Sequence, residues 1–364
     1  MMAPSPGRAS DNRWRAGCDR QQTWVMTQQT TDETSATPRG TVYRWTPLTE
    51  ADVPAWANLV NHLAEVDGTE EFYREDDLRE ELTFAGFDPA RDSLTARDEG
   101  QIVGFAQVTV PTTPDNEGNG RGYVSGGVRA DHRGRGIGRE LMDRMEPRAE
   151  QLVRERHPGR DAYLRAGGGL EGSSASRMLR ARGYRVVRYY DELARPLRGG
   201  IQVPEPPGVE LLSPTAQHEQ AARTAHNDAF RDHWGSGPQS AETWHDHWTA
   251  RSGRPEVSTL AVTPQGEVLS YVLCTEWVDR QLYVDLVGTV RAARGRGLAR
   301  AALLRTVDLA GRSGAYDVIE LGVDSENPSG ATRLYEGVGF VPKLRTTAMQ
   351  RDLRSSKDAG DGAL

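Results

Sequence analysis

One short glycine-rich motif occurs twice in this 364-residue chain, and the repeat constrains its fold more than any other feature. The two copies are Arg133-Gly134-Arg135-Gly136-Ile137-Gly138 and Arg294-Gly295-Arg296-Gly297-Leu298-Ala299. Each follows an apolar run typical of a β-strand and precedes a stretch with helical periodicity. Such a turn gathers unpaired backbone N–H groups at the positive end of a helix dipole, which suits a pyrophosphate. The chain is predicted to contain one anion-binding unit twice.

The regions around the two motifs predict two domains. Residues 41–196 and 208–353 each hold one motif and have the size of an ordinary domain. Residues 197–207, rich in glycine and proline, are predicted to link them. Residues 1–40 and 354–364 lack apolar periodicity and are predicted to be disordered tails. Met26 as well as Met1 is a candidate start residue.

Both halves give the same order of predicted elements, β-α-α-β-β-β-α-β-α-β-β. In the second half the patterns predict helices over 213–229, 241–251 and 330–336, a hairpin of strands over 259–263 and 268–277, strands over 282–289 and 318–323, and closing strands within 340–350. This order predicts an α/β (α+β) protein of two tandem folds. Each fold should be a mixed, mostly antiparallel sheet flanked by helices.

Charge and composition exclude several function classes. The net charge of −7 disfavours a nucleic-acid partner, which requires a basic surface. No apolar run is long enough to span a membrane, and the two cysteines, Cys18 and Cys274, supply neither a disulfide framework nor a zinc site. We therefore expect a cytoplasmic enzyme without metal. The basic residues are nearly all arginine, a bias compatible with a GC-rich, actinobacterial genome.

The context of the turn excludes two common phosphate-binding motifs. A dinucleotide fold places its glycines directly after the first strand of a βαβ unit, and a nucleoside-triphosphate loop needs Gly-Lys-Ser/Thr. Neither condition is met. The remaining pattern, Arg-x-x-Gly-x-Gly/Ala, resembles the coenzyme A pyrophosphate loop of the GCN5-related N-acetyltransferase (GNAT) superfamily, whose element order is also similar. The resemblance implies that the second turn binds coenzyme A and that a backbone N–H near Thr289 or Val290 polarises the thioester. The first turn, with Arg133, Gly134, Gly136 and Gly138, either binds coenzyme A as well or serves as a scaffold that shapes the other site.

A second stretch strengthens this resemblance. Asn327-Pro328, Ala331, Leu334-Tyr335 and Gly339-Phe340 are similar to the family pattern N-x-x-A-x-x-L-Y-x-x-x-G-F. The resemblance implies that Asn327 bonds the pantetheine arm and that Tyr335 protonates the departing thiolate. Aligning the first half on Gly183-Tyr184 places Glu171 opposite Asn327 and Leu179 opposite Tyr335. We therefore expect chemistry only in the C-terminal half.

The sequence gives weaker evidence for the residue that deprotonates the acceptor amine. The family's positions for this base fall on Tyr283 and Asp285, which share a face of one strand because they are two apart. Asp285 is the only carboxylate of the pair and is the predicted base. Glu276, His233 or water alone remain alternatives. The first half has Gly122 and Val124 at the matching places.

Acceptor specificity in this superfamily is set by the first two helices and their loop. Phe230, His233 and Trp234 lie there and are the predicted pocket residues. Trp244 and Trp248 are four apart and are better explained by core packing. His245 and His247 have no spacing typical of zinc.

These observations predict an acetyl-CoA-dependent N-acetyltransferase that transfers the acetyl group directly to a primary amine of a small molecule. The tandem layout is similar to the mycothiol synthase group of the superfamily, although Tyr283 stands where that group carries glutamate, so its substrate is not carried over. We expect a monomer or homodimer. The alternatives are a non-catalytic acyl-CoA-binding or sensor protein and a transferase of another acyl group.

Overall fold

A computed structural model of the chain describes residues 42–197, 200–326 and 330–353. These residues lie in one compact unit. Among them, every helix is too short or too polar to cross a lipid bilayer. The predicted tails, part of the predicted linker and Asn327 lie outside the described residues.

The two halves of the chain form the same succession of elements, except that the first has one additional short helix, α3, and we call them the first and second copy. The first copy runs β1 (Arg44–Thr46), α1 (Val53–Asp67), α2 (Glu75–Glu81), α3 (Pro89–Asp92), β2 (Ser93–Asp98), β3 (Gln101–Thr109), β4 (Gly120–Val128), α4 (Ile137–Arg156), β5 (Ala162–Leu170), α5 (Ser174–Ala181), β6 (Arg185–Pro196). The second runs β7 (Glu210–Leu212), α6 (Glu219–Ala229), α7 (Ala241–Thr249), β8 (Thr259–Val262), β9 (Val268–Val278), β10 (Gln281–Thr289), α8 (Leu298–Ser313), β11 (Val318–Asp324), α9 (Ala331–Glu336), β12 (Val341–Leu353).

Local sequence signals set several helix ends. The hydroxyl groups of Ser173 and Ser240 accept backbone N–H bonds at the starts of α5 and α7. Gly68 and Gly314 end α1 and α8 at φ of 64° and 65°, a conformation that favours glycine.

Two predicted elements differ from the structure. The helix expected from residue 213 begins only at Glu219, because Ala216–His218 form a 3-10 turn capped by Thr215. The closing strands expected within 340–350 are one strand, β12, because it keeps its pairing with β6 through two register shifts.

The strands form one continuous sheet in which the copies exchange their last strands. The order is β1-β2-β3-β4-β5-β12-β6-β11-β10-β9-β8-β7. Strand β12 of the second copy pairs with β5 of the first, and β6 of the first pairs with β11 of the second. The exchanged strands also pair with each other. Each copy therefore completes its sheet with a strand from the other.

The hydrophobic cores follow this exchange. Met349 of β12 is fully buried and packs in the first copy's core with Leu141 and Leu164. Leu193 of β6 packs in the second copy's core with Leu303. Neither core is built from one copy alone.

Helices cover both faces of the sheet in each copy. In the second copy α8 packs on one face through Leu303 and Val307, and α6 and α7 pack on the other around Trp244 and Tyr271. Trp244 is 2% exposed, as its predicted packing role requires. Cys274 is buried in the α8 core, and burial raises the pKa of its thiol.

Both copies contain an opening between two parallel strands. Strands β4 and β5 pair only from Gly120 to Tyr123 on the β4 side. Strands β10 and β11 pair only from Gln281 to Tyr283 on the β10 side. Beyond these points the strands diverge, so each sheet opens where its glycine turn follows. The opening leaves backbone groups on its edges without a ladder partner.

The strand exchange predicts that a change in β12 weakens the first copy. Met349→Ala should lower the free energy of unfolding by about 2–5 kcal/mol, the usual cost of a buried cavity. Hydrogen exchange should then rise in β4 and α4 of the first copy. Val341→Ala, at a position of the same strand that is 57% exposed, is the control and should change the unfolding free energy by less than about 0.5 kcal/mol. Faster exchange confined to the second copy would contradict the prediction.

A buried histidine of α6 predicts a pH dependence of stability. Nδ1 of His226 lies 2.8 Å from the hydroxyl of Tyr271, and burial lowers the pKa of His226 to about 4. The folded protein thus binds this proton less readily than the unfolded chain. The deprotonated imidazole of His226 therefore contributes fully to the free energy of unfolding above pH about 6.5. As the pH falls from about 6.5 toward 4 this contribution is lost, and by pH 5 the free energy of unfolding has fallen by about 2 kcal/mol. His226→Asn, which keeps an acceptor near Nδ1, should flatten the fall in denaturation midpoint between pH 7 and 5; parallel curves would refute this.

Candidate functional site

The two glycine turns have the same backbone conformation. Gly295 and Gly297 both have φ of 76°, and Gly134 and Gly136 have φ of 75° and 84°. A Cβ on any of the four would meet no atom within 4 Å. The first bond into α8 is donated by the N–H of Ala301 to Gly297, at 3.0 Å. The N–H groups of the turn before it are therefore available to an anion in open space.

The first arginine of each motif holds the turn in place. Nη1 and Nη2 of Arg133 donate to Asp67 at the end of α1, at 2.7 and 2.6 Å, and its Nε donates to the carbonyl of Val128 at 2.9 Å. Arg294 donates to the carbonyl of Ala229 at the end of α6, at 2.8 Å. Both were predicted to bind coenzyme A. In the structure their side chains connect the turn to the first helix of the copy.

Other residues of the two predicted loops have side chains that are buried or directed toward neighbouring backbone, or they lack a side chain. The side chain of Leu298 is buried in the core. A Cβ on Gly138 would lie 3.2 Å from the sulfur of Met178 on α5, so this position lies in close contact with the neighbouring helix. Arg135 donates to the carbonyl of Asp131 at 2.8 Å, and Arg296 lies 3.4 Å from the carbonyl of Pro207.

Of the two backbone donors predicted to polarise a thioester, only one points into the opening between β10 and β11. The N–H of Val290 donates to the carbonyl of Leu269 at 2.9 Å, which uses it within the sheet. Successive residues of an antiparallel strand direct their N–H groups to alternate edges. The N–H of Thr289 therefore points toward β11. Of the two residues predicted to polarise a thioester, the structure leaves Thr289 for that position.

Tyr335 lies on the same side of the sheet as the glycine turn. Its ring packs in the core cluster that contains Leu303 and Val307 of α8 and lies edge-on to Phe340, 6.2 Å between centroids. Burial raises its pKa to about 12. The phenol is thus protonated near neutral pH and can donate a proton. Asn327, predicted beside it, lies outside the described residues.

The backbone shows that Leu179 is the counterpart of Tyr335. The carbonyl of Leu179 accepts the N–H of Tyr184 at 3.0 Å, and that of Tyr335 accepts the N–H of Phe340 at 3.1 Å. The same turn therefore carries a phenol in the second copy and an aliphatic side chain in the first.

Asp285 lies at a β-bulge and pairs with a histidine. The register of β10 against β9 shifts between Val284 and Leu286, so Asp285 is the extra residue. Its Oδ2 lies 3.3 Å from Nε2 of His247 on α7. Burial raises the pKa of Asp285, and His247 acts in the opposite direction. From the sequence, His247 was considered only as a metal ligand. The contact with Asp285 was not predicted, because His247 lies on α7 and Asp285 on β10, and no local sequence pattern connects the two elements.

The other candidate bases have different contacts. The hydroxyl of Tyr283 donates to Glu192 of β6 at 3.3 Å, and burial followed by the charge of Glu192 raises its pKa. Glu276 is held by Arg74 and Arg254, both at 2.8 Å, and these hydrogen bonds keep its pKa low despite burial. Neither group is arranged to take a proton from an amine.

Two predicted acceptor residues belong to a cluster of rings beside Asp285. Phe230 stacks on His226 at 4.5 Å and lies 5.2 Å from His233. Burial lowers the pKa of His233, whose Nδ1 lies 3.0 Å from the hydroxyl of Ser236. Through Trp244, 5.6 Å from His247, the cluster reaches the Asp285–His247 pair.

Trp234 contacts the other copy. Its ring lies between the guanidinium groups of Arg165 and Arg188, at 4.0 and 4.2 Å, and both arginines come from strands of the first copy. It also lines a cavity of about 340 Å³ together with Asp115 and Tyr163. The ring of Trp234 thus packs against the first copy, whereas the rings of Phe230 and His233 pack against each other within the second. Across the described ranges, no group of three or more His, Cys, Asp or Glu residues could hold a metal ion.

Comparisons with known proteins agree with this architecture. The Acetyltransferase (GNAT) family matches residues 54–157 and 220–340. A GCN5-related N-acetyltransferase from Sphaerobacter thermophilus is 25% identical, with a TM-score of 0.68 over 86% of this chain and 96% of that one. A tandem GNAT protein from the clavulanic acid biosynthesis pathway is 18% identical, with a TM-score of 0.60 over 85% and 98% of the two chains. No curated protein matches the sequence.

The family matches cover more than half of the chain and fall on the two copies separately. Both contain a mixed, mostly antiparallel sheet flanked by helices, as the sequence predicted. The chain therefore belongs to the GNAT acetyltransferase family and is a tandem member of it.

Proposed function

We propose that the protein transfers an acetyl group from acetyl-CoA to a primary amine of a small molecule and that the second copy performs the chemistry. One observation carries this proposal. Around the opening between β10 and β11, the second copy combines an open glycine turn, a protonated buried phenol at Tyr335 and the Asp285–His247 pair.

The donor fits the opening in a defined direction. The turn at Gly295–Gly297 offers backbone N–H groups and the start of the α8 dipole to the pyrophosphate of acetyl-CoA. The pantetheine arm then extends between the diverging strands toward Tyr283, where they begin to pair. The thioester carbonyl accepts a hydrogen bond from the N–H of Thr289, which stabilises the negative charge that develops on it.

The reaction needs a base and an acid on opposite sides of the carbonyl. The ammonium form of the amine loses a proton to His247, which the 3.3 Å contact with Asp285 orients, and its nitrogen bonds to the carbonyl carbon. The carbon–sulfur bond then breaks. Tyr335 gives its proton to the coenzyme A thiolate and the acylated nitrogen releases its second proton to water, so the products are an acetamide and the free thiol.

The first copy keeps the binding turn without the reactive groups. Gly134 and Gly136 have the same open conformation, whereas Gly122, Val124 and Leu179 stand where the second copy has Tyr283, Asp285 and Tyr335. We propose that residues 41–196 form this non-catalytic domain and residues 208–353 the catalytic one.

Removal of the Tyr335 hydroxyl should separate binding from turnover. Tyr335→Phe should lower kcat by at least about 100-fold, the usual effect of losing a general acid, with little change in the Kd for coenzyme A. Thiol release and isothermal titration measure the two quantities. Tyr184→Phe removes a buried hydroxyl from the first copy and is the control, which should keep wild-type kcat. Coenzyme A binding without thiol release from any amine would favour the acyl-CoA-binding alternative.

Variants of the Asp285–His247 pair should reveal the base through pH. His247→Gln and Asp285→Asn should each lower kcat about ten- to a hundredfold at pH 7, and the double variant should lose little more, because the residues act together. The loss should shrink at high pH, where the amine deprotonates unaided. His245→Gln, on the exposed side of the same helix, is the control. A loss that is the same at every pH would show that the pair is not the base.

A further inference from the structure

A loop of the first copy lies across the sheet of the second. Residues 69–74 connect α1 to α2 and contact the second copy at three points. Glu70 pairs with Lys343 of β12, the ring of Tyr73 lies 5.8 Å from that of Trp277 on β9, and Arg74 pairs with Glu276 at 2.8 Å. We call these residues the crossing loop.

The contacts of the crossing loop determine where Glu71 lies. Between β12 and β9 the sheet contains β6, β11 and β10, in that order. Glu71 follows the residue bound to β12 and comes two before the residue stacked on β9, so it lies over these three strands. Asn61 of α1 fixes this position through two hydrogen bonds with the backbone of Tyr73, both 2.9 Å.

Glu192 and Tyr283 project from the strands beneath Glu71. A Cβ on Gly322 of β11 would lie 2.8 Å from the carboxylate of Glu192 and 2.9 Å from the hydroxyl of Tyr283. The two side chains therefore meet over Gly322, where the absence of a side chain makes room. Tyr283 is two residues from Asp285, so this place adjoins the proposed base. Glu71, Glu192 and Tyr283 line what we call the crossing cleft.

The carboxylates of the crossing cleft form no salt bridge with a described residue. Their neighbours Glu70, Glu276 and Glu320 each pair with a basic side chain. Within the ranges that the structure describes, neither Glu71 nor Glu192 has a basic group within 4 Å. Desolvation by the surrounding protein raises the pKa of both. At Glu192 the hydrogen bond from Tyr283 and the charge of Lys343 act against this effect, and the charge of Glu71 adds to it. The side chain of Glu71 is exposed to water, so this carboxylate lies at the mouth of the crossing cleft.

A buried hydroxyl on the same face also lacks a protein partner. Thr275 of β9 pairs with Tyr283 in the sheet, so its side chain lies beside that of Tyr283. It is 6% exposed, and its Oγ1 makes no hydrogen bond to any described residue. A buried hydroxyl is normally satisfied, and an ammonium group in the cleft would supply a donor.

We propose that the crossing cleft is part of the acceptor site of the second copy and that Glu71, supplied by the first copy, selects acceptors with a second positive charge. This inference rests on the proposed acetyl transfer. The reacting amine lies at the Asp285–His247 pair, and a second ammonium group on the same molecule lies between Glu71 and Glu192. The non-catalytic copy thereby determines which amine the catalytic copy accepts.

A matched pair of amines tests the proposal. Butane-1,4-diamine and butylamine differ by one ammonium group, and thiol release from acetyl-CoA gives kcat and KM for each with the full chain. The wild type should prefer the diamine by about tenfold or more in kcat/KM, mainly through KM, since an ion pair in a partly buried cleft is worth about one power of ten. Glu71→Gln should lower that preference about tenfold. Glu75→Gln, an exposed carboxylate at the start of α2, is the control and should retain it.

The outcomes separate this proposal from the proposed function. Turnover of both amines without preference, or a preference that survives in Glu71→Gln, would overturn the selection by Glu71 and leave the acetyl transfer intact. If no amine releases thiol, titration of spermidine into the coenzyme A complex tests whether the crossing cleft binds a polyamine. Weaker binding to Glu71→Gln than to Glu75→Gln would support the proposed cleft, and equal binding to the two variants would overturn it. A loss of kcat with unchanged KM in Glu71→Gln would indicate a structural role and also contradict the proposal.

Discussion

The exchange of β6 and β12 is the constraint on which the rest of the structure depends. Each strand completes the sheet and core of the copy to which it does not belong, so the two copies are joined by backbone hydrogen bonds along the centre of one sheet. A hinge between the copies would require breaking these ladders. The first copy is therefore held at a fixed place beside the second, and its loops can act as parts of the neighbouring site.

The two copies show which features depend on the backbone and which on side chains. The anion-binding turn needs glycine conformations and a helix start, and both copies have them. The proposed chemistry needs a phenol and a carboxylate at particular positions, and the first copy has Leu179 and Val124 there. The scaffold is thus repeated while the reactive groups are not. Carboxylates that the first copy contributes to the crossing cleft give its retained fold a further role.

The sequence predicted the order of the elements and both turns because these are local properties. Apolar periodicity marked the strands and helices, and the glycine pairs marked the strand-to-helix turns. The bulge at Asp285 was not predicted, because a register shift depends on pairing with β9. His247 and Glu71 were missed for a related reason: each meets its partners only after distant segments have packed together.

The sequence by itself determined the tandem repeat, the two glycine turns and the absence of counterparts of Tyr335 and Asp285 from the first copy, since these follow from residue identity and short-range spacing. Only the tertiary structure decided that the last strands are exchanged, that His247 pairs with Asp285, that Arg133 and Arg294 hold the turns, and that a loop of one copy covers the other. Strand exchange pairs segments from opposite halves of the chain. Since β6 and β12 are similar strands, the residues next to each of them in the sequence do not predict which sheet edge it will pair with.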